Sequence, residues 1–149
     1  MTRYSYPGAS PEERERSALS ALVRSWAAGI VVLVVTEYLQ MSLINAPLVG
    51  ADGPSSFGSA LLLVHLPNVV CVALATWAAA RVHRPSQHTL PGQNLMAALA
   101  VPVAAQLLTL SLQWDRMGGL GGVTFWMSNA VVVTGCVVGS VLARLGRHA

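Results

Sequence analysis

Lysine is absent from this 149-residue chain, and charge of either sign is scarce. Charged residues make up 10 % of the sequence, where a soluble domain carries about 25 %. That shortage excludes an ordinary soluble fold. The nine basic residues are all arginine, which reads as the codon bias of a GC-rich bacterial genome and not as a functional signal. Without a Walker lysine the glycine-rich "GGLGGVTF" is no nucleotide site. Cysteine is limited to Cys71 and Cys136, both inside apolar runs, with no CxxC and no other Cys or His at metal-ligand spacing. They read as small buried packing residues. Of the histidines only His65 falls in an apolar segment, which excludes a b-type haem held by two facing ligands. His83 and His88, in "RVHRPSQH", read as solvated loop residues. The isoelectric point is about 9.4, but the arginines sit beside apolar segments and do not interleave with aromatics. A nucleic-acid partner is therefore not expected, and neither is a metal or cofactor.

What the chain has in abundance is apolar surface: 54 % of its residues are hydrophobic and the mean hydropathy is +0.56. Four stretches are long enough to cross a bilayer core, which takes about 20 helical residues. They are 25–44, 58–80, 95–114 and 120–143. Pro102 and Gln106 interrupt the third, which still reads as a span because a bundle re-satisfies the backbone groups a proline frees. The fold class expected is all-α: an integral membrane four-helix bundle of residues 17–149, preceded by a short segment, 1–16. Arg3, Arg14, Arg16 and Arg24 precede the first span, Arg81 and Arg84 fill the second connection, and Arg144 and Arg147 close the chain. Arg116 alone falls on the other side. That asymmetry predicts both termini in the cytoplasm, in the bacterial plasma (inner) membrane. The first apolar run is too long for a signal-peptide core, so an uncleaved helix is favoured. "SPEER" predicts a capped helix start with Ser10 as N-cap and Pro11 at the first helical position, residues 1–9 being disordered. Turns are expected at Asp52-Gly53-Pro54 and in "DRMGG".

The first run contains "VVLVVTEYLQMSLI", with Glu37 inside it and Gln40 one turn later. Counted from the loop end of each span, Glu37 and His65 both lie about 10 Å deep, Gln106 about 12 Å, Asn129 about 14 Å and Asn68 about 15 Å. Every helix thus places a polar group in one slab of the outward half, and the inward halves hold almost none. Glu37 with Gln40, His65 with Asn68, and Gln106 with Thr109 and Gln113 recur at helical spacing, so each set shares a face. Lipid solvates such faces poorly, and they should turn inward and meet. Pro67 and Pro102 free the carbonyls of Leu63 and Ala98 in the same bundle.

The expected site is a polar pocket with Glu37 and His65 as general acid and base. Asn68, Gln106, Asn129, Gln40 and Trp126 would bind substrate. The plainer reading is that Asn and Gln side chains only join helices, each worth about 0.6–2 kcal/mol, and Gln40 and Gln113 lie near enough to the interface to be merely hydrated. Gly135 and Gly139, in "GCVVG", form a GxxxG pattern that serves either a homodimer or close packing within one chain. The leading functional expectation is a membrane-embedded enzyme doing proton-transfer chemistry on a lipophilic small molecule, as an isomerase, cyclase or hydratase. The alternatives are a proton-coupled transporter subunit and a non-catalytic assembly partner.

Four short helices with a lone glutamate in the first are similar to the small multidrug transporters. Here Glu37 lies in the outer part of its span, and the residues around it do not follow that family's motif. "GGVTF" resembles a stretch of the fluoride channels, whose other signatures are missing. The lack of CxxC excludes the thiol-redox quinone and vitamin K reductases. No family membership follows from these residues.

Overall fold

An uncharged run of Leu, Val and Ala has no water to bond its backbone within a bilayer, so it must satisfy its own N–H and C=O groups, and a helix does this locally. The computed structural model describes residues 11–49, 53–83, 91–114 and 122–146, and among them there is no strand. Four helical stretches are long and apolar enough to cross a membrane: Arg16–Val49, Phe57–Val82, Leu95–Gln113 and Val123–Leu145. The expected turn in "DRMGG", disorder over residues 1–9 and the cap at Ser10 fall outside the described residues.

Helix α1 (Pro11–Gln40) starts at the proline whose fixed φ suits the first helical turn. It continues as a wider π-type helix, Met41–Val49, so the first helical stretch runs past residue 44, where the apolar count ended it. The second stretch opens with the short α2 (Phe57–Ala60), capped reciprocally by Ser56 and Ser59. It widens over Leu61–His65 and continues as α3 (Leu66–Val82). Each wide segment has a proline in it or just after it: Pro47 lies inside the first, and Pro67 follows the second. A proline ring clashes with the carbonyl four residues earlier, and widening the turn relieves that clash. Leu66 accordingly donates its N–H to the carbonyl of Leu61. Gly53, at φ +77°, turns the chain between the first two stretches. Helices α4 (Pro91–Gln113) and α5 (Val123–Leu145) complete the bundle.

The four stretches run up, down, up and down, with α3 at the centre. At the end bearing the chain termini, the fully buried Ser25 of α1 lies 2.7 Å from the carbonyl of Ala79 in α3 and 3.1 Å from that of Ala97 in α4. Trp26 Nε1 donates to the carbonyl of Met96. Sequence reading left this half almost without polar groups. Ser25 and Thr76 are nonetheless fully buried there, hidden from a depth count because small hydroxyls pack like alanine. The helices meet through Ala75, Ala79, Ala97 and Ala143, small residues that let backbones approach, as membrane helices require. Larger residues, Leu39, Leu107, Leu112 and Val133 among them, point outward, the arrangement suited to acyl chains.

The glycine pair of α5 works inside this chain. A Cβ on Gly135 would stand 2.6 Å from Val72, and one on Gly139 would stand 2.8 Å from Cβ of Thr76 and press on the carbonyl of Ala73. Both glycines are buried, so α3 occupies the face that a homodimer through Gly135 and Gly139 would need. At the same end Arg81 stacks over Trp77 at 5.7 Å. His83, expected in solvent, is buried, and among the described residues neither ring nitrogen has a hydrogen-bond partner. His88 lies outside the described residues.

Because Gly139 faces backbone, Gly139→Val should destabilise the bundle by about 1–3 kcal/mol through overpacking. Thermal unfolding in detergent should show a lower midpoint. Gly58→Ala, whose new Cβ would meet nothing nearer than Ser56 Oγ at 4.0 Å, should not lower it.

Candidate functional site

Away from the terminus end, side chains at helix contacts become longer and polar, and the helices enclose a cavity of about 320 Å³. All four helical stretches line it. Leu33 and Glu37 come from α1, His65, Asn68 and Val72 from the second stretch, and Pro102, Ala105, Gln106 and Thr109 from α4. From α5 come Thr124, Ser128 and Val131. Its deeper wall is apolar, through Leu33, Val72, Pro102 and Ala105. Its polar groups lie nearer the inter-helical turns, where Gln113 also lines it and is exposed.

Glu37 and His65 are brought to this one cavity. Glu37 is exposed and His65 half-buried. Among the described residues neither forms a hydrogen bond or an ion pair, to the other or to any neighbour. Asn68 lines the same wall one turn beyond His65. Gln106 is held by a reciprocal pair: its Nε2 donates to Ser128 Oγ at 2.9 Å, and Ser128 Oγ lies 3.2 Å from Gln106 Oε1. This bond orients the amide and ties α4 to α5 across the cavity.

Three residues expected to bind substrate are placed elsewhere. Asn129 turns back along its own helix, its Nδ2 donating to the carbonyl of Phe125 at 2.8 Å. Trp126 is exposed and stands edge-on to Phe125 at 5.5 Å, while Phe125 also meets Trp114 at 6.2 Å. Gln40, read as hydrated, is buried in the contact between α1 and α3. Its Nε2 lies 3.5 Å from the carbonyl of Val64, and its Oε1 accepts from Cys71 Sγ at 3.3 Å. Three residues of helix amount to a turn of about 300°, so Glu37 and Gln40 diverge by about 60°, enough to separate a cavity wall from a helix contact.

Ser128 and Thr124 are the lining residues that sequence reading missed. Their signal was present: Thr124, Ser128 and Val131 recur at i, i+4 and i+7, the spacing of one helix face. Asn129 drew attention as the larger polar group, yet it points about 100° away.

Cys71 and Cys136 are buried and unpaired with each other, Cys136 receiving a contact from Thr76 Oγ1 at 3.9 Å. Among the described residues no three His, Cys, Asp or Glu side chains cluster as metal ligands would. A chemically useful arrangement therefore rests on one carboxyl, one imidazole and a set of amides and hydroxyls around a partly open volume.

No family model, no curated protein and no solved structure matches this chain.

If the Gln106–Ser128 bond fixes the cavity wall, the variants Gln106→Leu and Ser128→Ala should be coupled. A double-mutant cycle on unfolding in detergent should give about 0.6–1.7 kcal/mol, the range of interhelical hydrogen bonds in a membrane bundle. A coupling of zero would show that the two side chains act independently.

Proposed function

We propose that this protein is a membrane-embedded acid–base enzyme acting on a lipophilic small molecule, of isomerase, cyclase or hydratase type. The observation that carries the reading is the placing of Glu37 and His65 on one cavity between the helices without hydrogen-bond partners among the described residues. A carboxylate or imidazole used as structural glue is engaged by a neighbouring helix, as Gln40 and Gln106 are. An unengaged pair is available to a substrate, and a charged group inside a membrane bundle is a functional marker by default.

In this reading the resting pair is a carboxylate and an imidazolium. Glu37 removes a proton from the substrate while His65 delivers one to another substrate atom, leaving a carboxylic acid and a neutral imidazole. Glu37 then gives its proton to cavity water and His65 takes one from it, which restores the pair and places a solvent hydrogen on the imidazole. Proton count and charge balance over the cycle. Asn68, Gln106 and Thr109 supply donors and acceptors that hold the polar end of the substrate. The protein sits in the bacterial plasma membrane with both termini in the cytoplasm. Arg16, Arg24, Arg81 and Arg144, all on the terminus end of the bundle, support that orientation. The cavity then belongs to the outward half.

Proton-transfer chemistry leaves a solvent hydrogen in its product. Membranes containing the protein, incubated with a total lipid extract in D2O, should yield a deuterated lipophilic species that membranes without it do not make. Glu37→Gln should reduce its formation by about 10²–10⁴-fold, the usual contribution of a general acid or base. Mass spectrometry of the extract reads the outcome. The absence of any protein-dependent deuteration, or full deuteration by Glu37→Gln, would refute the reading.

A further inference from the structure

The cavity has an apolar neighbour. Between α1 and α4 lies a groove of about 520 Å³, walled by Ile30 and Val34 on one helix and by Ala100, Ala104 and Leu108 on the other. It exists because α4 sets alanines, spaced i and i+4, opposite the branched residues of α1. Below it the two helices close up: a Cβ on Gly29 would stand 3.3 Å from Val101. The groove opens outward, since Ile30, Val34 and Leu108 are 51 %, 59 % and 60 % exposed. Leu33, Glu37 and Ala105 line both the groove and the cavity. Glu37 therefore stands where a lipid-facing slot meets a polar chamber.

Resting on the acid–base reading above, we propose that the groove holds the hydrocarbon body of the substrate, which enters sideways from the bilayer, while its polar end reaches the cavity past Glu37. The groove runs along α1 from Trp26 to Glu37, about 16 Å at the helical rise per residue. A single extended chain of that length fits it. The polar end is a neutral oxygen function, a hydroxyl or carbonyl. Among the described residues that line the two compartments there is no arginine, and the chain has no lysine, so a phosphate has no guanidinium or ammonium to meet. It would also face the carboxylate of Glu37. The amide of Asn68 can bond either oxygen, Gln106 keeps a second N–H beyond its bond to Ser128, and Thr109, whose proton goes to the carbonyl of Ala105, can accept from a hydroxyl.

The probe is dodecanol carrying a mid-chain diazirine, with the matching dodecyl phosphate as comparison. The full chain in phosphatidylcholine vesicles is irradiated, and the labelled residues are mapped by peptide mass spectrometry. The alcohol should label Ile30, Val34 and Ala104 saturably, be displaced by unlabelled dodecanol, and outcompete the phosphate. Ala104→Phe, a change on an exposed face, should abolish that labelling and leave the labelling of outward-facing Val137 and Val141 unaltered. Ala100→Phe, one helical turn away on the same wall, should do the same. Unsaturable labelling of equal strength at Val137 and Ile30 would overturn the proposal, since ordinary acyl chains label that way. Equal labelling by the phosphate would overturn the assignment of a neutral head. The two readings fail separately. Saturable labelling without solvent deuteration would sink the acid–base chemistry and keep the groove. Full deuteration by folded Ala104→Phe would sink the groove and keep the chemistry.

Discussion

The close approach of α5 to α3 is the contact on which the rest of this bundle depends. Gly135 and Gly139 present bare backbone to Val72, Ala73 and Thr76, and on its other sides α3 meets α1 and α4 through Ala75 and Ala79. Where apolar burial gives no driving force between helices, contact distance decides how much dispersion and interhelical bonding a seam can supply. Ser25 uses that closeness to reach the carbonyls of two helices at once. A tight lower half is what allows the upper half to stand apart. Helices anchored at one end by small residues diverge where Gln106, Thr109 and Asn68 take their place, and the cavity is the space that remains.

That division has an energetic logic. A polar group facing hydrocarbon is costly, and the protein pairs most of the ones it carries. Gln40 is engaged by Val64 and Cys71, Gln106 by Ser128, and Asn129 by its own helix. Thr36 and Thr109 return their hydroxyls to carbonyls one turn back. Against this background Glu37 and His65 stand apart, being the titratable groups of the cavity and unengaged among the described residues. Asn68 and Thr124, on the same cavity, are unengaged as well among the described residues, so the unpaired polar groups gather where the proposal puts the substrate.

Much of the architecture was readable in the residues, because hydropathy over about 20 positions averages out local detail. The four helices, the antiparallel succession and the buried cysteines all follow from runs of that length. The site was readable only in part. Depth is a one-dimensional quantity, obtained by counting, and it grouped Glu37, His65, Asn68 and Gln106 on what the structure describes as one cavity. Azimuth is set by neighbours, and counting cannot supply it. Asn129 and Ser128 differ by one position, and Glu37 and Gln40 share a face only coarsely. Helix–helix contact decides which side is buried. Trp126, expected to bind substrate, is turned outward beside Phe125. His83 was assigned to solvent by its place in a loop-like string, whereas the end of α3 buries it.

The two widened turns have a consequence for how this chain tolerates change in length. Along the second stretch the exposed positions Leu62, Leu66, Val70 and Leu74 advance by four, and Trp77 and Arg81 continue them. A loosened turn at Leu61–His65 resets the phase between the part that frames the chamber and the part that forms the alanine seam. Such a joint acts as a slack link: one residue gained or lost there changes the width of a turn and leaves the seam below in step. The seam below and the chamber above thereby keep separate helical phases, joined by a turn that can take up the difference.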